Sequence, residues 1–266
     1  MDRVGIIGYG HMGSMLVNGF LSSGVLGIDE IMVASKRQES MDACAAAWPG
    51  IGIARTNREL ARQCRLIIIA VRPQETRGVL NEIASVMDGD EHVVSLAAGI
   101  SLEDLEGLFS GSVTRVVPTA TSAVGQGTTL VCHGRQVGML DALRAEGLFS
   151  SIGNVALVDE VNLPAATLLS SCGPGLLAAI IEELAGATAR ASGLEAGRAL
   201  VLTTEMAAAT AAYLRETGKT PGDLVEEVAT GGGVTEAGVQ RLRERLPGVF
   251  DGTVAAMLER YGTVGK

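Results

Sequence analysis

The chain has 266 residues, 47% of them hydrophobic and only 3% aromatic, with a formal net charge of −9. That length and apolar share predict a folded protein of two domains, or one large one, able to bury a core. The acidic balance and the scarcity of aromatic faces argue against a nucleic-acid partner, while an anionic small molecule held by local amides and a few arginines stays open. The scattered Cys44, Cys64, Cys132 and Cys172 contain no C-x-x-C pair, which points to a reducing cytosol rather than to disulfides or zinc. Met1 stands almost directly before a strand-like run, so no signal peptide is expected. The apolar stretch 176–181 ends at Glu182-Glu183, so a membrane span is not expected either. A soluble cytoplasmic protein is the expectation.

Val4-Gly5-Ile6-Ile7 predicts a first strand and residues 12–21 a helix. Ile31-Met32-Val33-Ala34 predicts a second strand, with a helix over 37–47. The run Leu66-Ile67-Ile68-Ile69-Ala70-Val71 shows no alternation, as expected of a strand covered on both faces. His92-Val93-Val94-Ser95-Leu96-Ala97 and Val113-Thr114-Arg115-Val116-Val117 predict two more strands. A later β pair near 128–132 and 155–158 brackets another helix. Strands alternating with helical patterns predict βαβ units and a Rossmann-like, doubly wound parallel sheet. After about Asn162 the pattern turns Ala-, Leu- and Glu-rich over 164–192, 196–217 and 235–261, with a break expected near Pro247. The expected fold class is therefore α/β, with a dinucleotide-binding domain over 1–160 and an all-helical domain over 161–266.

Gly8-Tyr9-Gly10-His11-Met12-Gly13 follows the first strand and opens a helix. In that setting G-x-G-x-x-G has a mechanism: a tight turn, backbone approach to a pyrophosphate, and a helix N-terminus facing the negative charge. Cofactor choice is read at the end of the second strand, where an acid favours NAD. This strand ends in Ser35-Lys36-Arg37, and the acids Asp29 and Glu30 stand at its other end. A hydroxyl and two cations suit a 2′-phosphate, so NADP(H) is expected, with NAD(H) also open; a solvated basic turn is the plain alternative. Ala70-Val71-Arg72-Pro73-Gln74 ends another strand at the same edge, and Ala97-Ala98-Gly99 a third. Small residues there let a nicotinamide lie against backbone, or simply let helices pack.

The second half is informative for what it lacks. The lysines are Lys36, Lys219 and Lys266 and the histidines His11, His92 and His133, so no Lys or His falls between 133 and 219. Alcohol-oxidising two-domain dehydrogenases use such a general base, whereas an imine can enter already protonated and accept hydride alone. Two segments are candidates for holding an anionic substrate. Ser170-Ser171-Cys172-Gly173-Pro174-Gly175 breaks a helical pattern, with a plain helix kink as the alternative. Thr230-Gly231-Gly232-Gly233-Val234-Thr235 precedes a helix and offers an amide nest, or merely a turn with Thr235 as N-cap.

Together with Arg115-x-x-Pro118 and Asp159-Glu160, these stretches resemble pyrroline-5-carboxylate reductases along essentially the whole chain. The resemblance implies a Rossmann-like domain and a helical dimerisation domain, a homodimer with interleaved helices or a higher oligomer, and a site between one chain's cofactor and the partner's helices. It implies that the amides of Gly232 and Gly233 hold the substrate carboxylate, that Thr235 bonds the ring nitrogen, and that Thr230, Cys172 and Glu160 line the substrate pocket. Departures fall on that pocket: Thr119 replaces the family's Asn, Cys172 its central Ser, and Gly175 its Ala. The activity implied is NADPH-dependent reduction of 1-pyrroline-5-carboxylate to L-proline. Reduction of a different cyclic imine, or a non-catalytic NADP(H)-binding regulator, are the alternatives that the departures motivate.

Overall fold

Strand β1 (Arg3–Ile7) is buried along most of its length and leads through a glycine turn into α1 (His11–Ser22). The computed structural model describes residues 3–263. After α1 come β2 (Ile31–Ala34), α2 (Gln38–Ala47), a short β3 (Gly52–Ile53), α3 (Asn57–Ala61), β4 (Cys64–Ile69) and α4 (Pro73–Ala84). Then follow β5 (His92–Ser95), α5 (Leu102–Glu106), β6 (Ser112–Val117), β7 (Gly127–His133), α6 (Met139–Ser150), β8 (Gly153–Leu157) and α7 (Leu163–Ser170). The strands form one sheet in the order β3-β2-β1-β4-β5-β6-β7-β8. Every neighbouring pair is parallel except β6 and β7, which run antiparallel. The doubly wound sheet read from the sequence is thus present, with one reversal that the pattern did not reveal.

The unbroken apolar run of β4 is explained by its two faces. Leu66 and Ile68 join Ile6, Val94 and Val116 in a core under α1 and α6, while Ile67 and Ile69 join Ile7 and Val93 in a second core under α3, α4 and α5. Phe20 of α1 and Phe149 of α6 meet edge-to-face, 5.7 Å between centroids, and tie those helices together on the first face.

A polar chain threads the sheet at the amino ends of β5 and β6. His92 Nε2 lies 2.7 Å from Thr114 Oγ1, which lies 2.9 Å from His133 Nδ1; His133 Nε2 is 3.1 Å from Glu146 Oε1. His92 is fully buried and its Nδ1 has no partner.

Two compact units divide at Cys172 and Gly173, the second spanning Gly173–Met257. Helix α7 rests on β7 and buries Leu163, Thr167 and Leu168, so it belongs to the first unit although the change of pattern begins near 160. The second unit contains α8 (Gly173–Ser192), α9 (Ala196–Thr217), α10 (Pro221–Val228) and most of α11 (Val234–Tyr261). Alanines Ala185 and Ala199 let α8 and α9 pack closely. Helix α11 runs unbroken past Pro247, correcting the expected break. Pro247 and Arg243, whose carbonyl the proline releases, are both exposed, so that carbonyl is not stranded in a core.

The second unit leaves Leu177, Ile180, Leu184, Val201, Leu202 and Met206 exposed. Helical residues from Glu160 to Ser192 include an 18-residue window of mean hydropathy 1.5, only 11% buried, which is long and apolar enough by composition to cross a membrane. Glu182-Glu183 therefore does not cut the apolar stretch as short as expected, because the window extends well beyond 176–181. So large an uncovered apolar surface is the mark of a protein or membrane interface.

Candidate functional site

The expected cofactor residues collect at the carboxyl edge of the parallel strands. The Gly8 amide donates to the Ala34 carbonyl at the end of β2, and the Ala70 amide to the Ile7 carbonyl at the end of β1, both at 2.8 Å. Three strand ends thereby meet around one turn, and Gly8 makes it with φ +102°. A Cβ on Gly8 would stand 2.7 Å from the Ala70 carbonyl oxygen, and one on Gly13 would stand 1.9 Å from that of Gly8. Gly10 differs: a Cβ there meets only the Arg37 guanidinium, at 3.9 Å, so its backbone borders open space. Gly10 is also the N-cap of α1, with no side-chain cap and no acid in the first turn. The uncapped amides and the helix dipole both favour an anion at this position.

A cleft of about 350 Å³ lies before the turn. Gly8, Tyr9 and Gly10 line it from the turn, Ser35 and Arg37 from the end of β2, and Ala70, Val71, Arg72 and Glu75 from the end of β4 and the start of α4. A smaller recess of about 40 Å³ beside it adds Lys36 and Asn57. Three cations thus stand at this edge against the single carboxylate of Glu75. Lys36 reaches to 4.0 Å from Glu75 and remains 73% exposed, so it is available to a phosphate. Arg72 holds Glu75 at 3.2 Å, and that hydrogen bond keeps the Glu75 carboxyl below the ordinary carboxylate range. Tyr9 lies against Cys44, and burial pushes its phenol up to about 12, which keeps it neutral. The donor set fits the pyrophosphate and 2′-phosphate of NADP(H).

Other expected cofactor residues stand beside the cleft without lining it. His11 is exposed at the first position of α1, and Met12 packs onto the core. Pro73 starts α4, where its missing N–H costs nothing. Ala97 is buried, its amide donating to Ser95 Oγ at 3.3 Å, while Ala98 is half-buried and Gly99 turns with φ +76° toward α5. Glu75 and Asn57 went unnoticed in the sequence. The signal for Glu75 was its place in the first turn after Pro73, where an acid complements the helix dipole.

The expected substrate residues fall into separate places. Thr230, Gly232 and Gly233 form the turn between α10 and α11, with Gly232 at φ +74°. Its amides are already engaged: Gly232 donates to Glu236 Oε2 at 2.6 Å, and Gly233 to the Thr230 carbonyl at 2.8 Å. Helix α11 begins at Val234, so the exposed Thr235 lies inside its first turn and is not the N-cap. Cys172 is an exposed free thiol whose amide donates to the Thr167 carbonyl at 3.1 Å. Glu160 accepts from Arg115 Nη1 at 2.6 Å and from the Leu102 amide at 2.7 Å. Those bonds tie β6, α5 and the start of the helical segment together, so Glu160 is a clamp inside the first unit and does not line the cofactor cleft. Thr119, at the Asn position of the resemblance, is buried and its hydroxyl lies 3.4 Å from that of Thr121.

Comparison with known proteins accounts for both units. A family model described as pyrroline-5-carboxylate reductase dimerisation matches residues 160–264, and one described as NADP oxidoreductase coenzyme F420-dependent matches 3–99. The first covers the exposed apolar helices and supports a homodimer. Pyrroline-5-carboxylate reductase 3 of Bacillus subtilis is 30% identical over 98% of this chain and 96% of its own length. The pyrroline-5-carboxylate reductase of Pisum sativum is 34% identical over 94% and 90%. The structure of Plasmodium falciparum pyrroline carboxylate reductase with NADP bound superposes with a TM-score of 0.88 at 22% identity, covering 100% of this chain and 98% of that one. By sequence over nearly its full length, and by an architecture that matches, the chain belongs to the pyrroline-5-carboxylate reductase family.

Proposed function

We propose that the protein reduces 1-pyrroline-5-carboxylate to L-proline with NADPH. One observation carries the reading: the uncapped glycine turn and the cations Lys36, Arg37 and Arg72 converge on one cleft and the recess beside it, in a chain of this family. NADPH, when bound, supplies the hydride that the C=N carbon accepts. Gly10 and the start of α1 hold its pyrophosphate, and Ser35, Lys36 and Arg37 hold the 2′-phosphate. The same cations favour NADPH over NADH, which a site without an acid at the end of β2 still admits.

In the second unit, the Thr235 hydroxyl orients the ring nitrogen, and the turn of Thr230, Gly232 and Gly233 receives the carboxylate. Cys172 contributes an exposed thiol near the start of α8. Glu160 acts through Arg115 as a positioning residue. No side chain is needed as the acid, since a protonated imine brings its own proton. Positioning of ring and imine then accounts for most of the rate. Helices interleaved between two subunits, a site shared by them, a higher oligomer and a cytoplasmic location complete the reading; the match to the dimerisation family supports the pairing of two subunits. The test is NADPH oxidation with 1-pyrroline-5-carboxylate, beside 1-pyrroline-2-carboxylate and with NADH. Fast turnover of the first substrate is expected. Cofactor binding without it refutes the assignment and points to another cyclic imine.

A further inference from the structure

The turn assigned above to the substrate carboxylate is filled by a carboxylate of the protein itself. Glu236 Oε2 accepts the Gly232 amide at 2.6 Å, the short distance of a charge-assisted bond. Glu236 stands in the first turn of α11, where the helix dipole also favours a negative charge, and it is half-buried. The neighbouring Gly233 amide is closed onto the Thr230 carbonyl. An N–H carries one hydrogen, so a second carboxylate reaches the Gly232 amide only by displacing the first, and two carboxylates at that spacing repel each other.

We infer that Glu236 is an internal competitor for the substrate-carboxylate position, holding the Gly232 amide while the pocket is empty and swinging away when a carboxylated ligand binds. The inference rests on the reading of this turn as the carboxylate site. It makes Glu236 a specificity-determining residue: an imine without a carboxylate has nothing to displace, so the preference for carboxylated rings is set below what the bare turn would give. If Glu236 merely caps α11, its loss lowers stability and tightens no ligand.

The test is calorimetric titration of the NADP⁺-loaded protein with L-proline, which carries the same ring and carboxylate, using wild type, E236Q, E236A and the control E226Q. Glu226 is an exposed acid of α10, and its change removes an equal charge nearby. Proline is expected to bind about fivefold tighter to E236Q and E236A, ~1 kcal/mol at 1.4 kcal/mol per tenfold, with E226Q near wild type. If E236A fails to fold, E236Q decides, because it keeps the side chain's shape and an acceptor. Unchanged or weaker binding overturns the inference, as does equal tightening in E226Q or no proline binding by any of the four. NADPH oxidation by 1-pyrroline-5-carboxylate runs in parallel. Tightening without turnover supports the inference and sinks the reaction assignment, whereas turnover without tightening sinks the inference alone.

Discussion

Replacing Glu160 separates a clamp from a substrate ligand. The Arg115 side chain is 7% exposed, its Nη1 meets Glu160 at 2.6 Å, and its Nε has no partner. Stranding one member of a buried ion pair costs ~3–5 kcal/mol. Glu160 is itself 35% exposed, so water screens the pair and about 2 kcal/mol of that remains. The Leu102 amide loses its acceptor as well, which adds ~1 kcal/mol. E160A is therefore expected to lose about 3 kcal/mol, a fall in Tm of roughly 6–12 °C for a unit of this size. E160Q keeps one acceptor and should lose about half as much, on the order of 1.5 kcal/mol. Thermal unfolding followed by circular dichroism, with urea titration beside it, reads the loss, and KM for 1-pyrroline-5-carboxylate is measured on the same samples. A Tm within about 2 °C of wild type together with a large rise in KM would refute the clamp and return Glu160 to the substrate.

Three further perturbations test other parts of the structure. Arg37→Ala removes the guanidinium beside Gly10 and should weaken NADPH roughly tenfold while moving NADH far less; equal weakening of both in fluorescence titrations would remove Arg37 from the 2′-phosphate. Burial holds the His92 imidazole down at about 4 in the folded protein, against ~6.5 unfolded, so the unfolded chain binds the extra proton between those values. Stability from His92 is thus complete above pH 6.5 and falls as pH drops toward 4, by about 3 kcal/mol in all; His92→Gln should flatten that limb of the urea-midpoint profile. Val201, 61% exposed on α9, lies in the apolar face of the second unit, and Val201→Glu should convert the dimer to monomer in light scattering at micromolar concentration.

How far the sequence could be read depended on the range of the interactions. Val4 to Ile7 and Leu66 to Ile69 were legible as strands, and Gly8 to Gly13 as the turn between strand and helix, because the signal is local composition. Strand β3 is only Gly52 and Ile53, too short for any period to register. The reversal at β7 was invisible because direction follows from which strand lies alongside, and Cys132 finds Arg115 across intervening chain. Site residues divided likewise. Gly10, Ser35 and Arg37 came from one motif and one strand end. The acid of Glu75 was hidden inside a helix start, and the ion pair of Glu160 was invisible because its partner, Arg115, lies 45 positions away. The self-closure of the Gly232 amide by Glu236 is local, yet no pattern distinguishes a nest awaiting a ligand from one already filled.

The chain of His92, Thr114, His133 and Glu146 has a direction. The carboxylate of Glu146 only accepts, so a neutral His133 presents its proton at Nε2 and a bare lone pair at Nδ1. The single hydroxyl proton of Thr114 is then drawn toward His133, leaving the hydroxyl oxygen to accept from Nε2 of His92. The unpartnered Nδ1 of His92 is in consequence a lone pair and not a stranded N–H, the lesser of the two penalties. The position of one carboxylate at the rim of the sheet is thereby felt, through one rotating hydroxyl, by a ring that is 1% exposed.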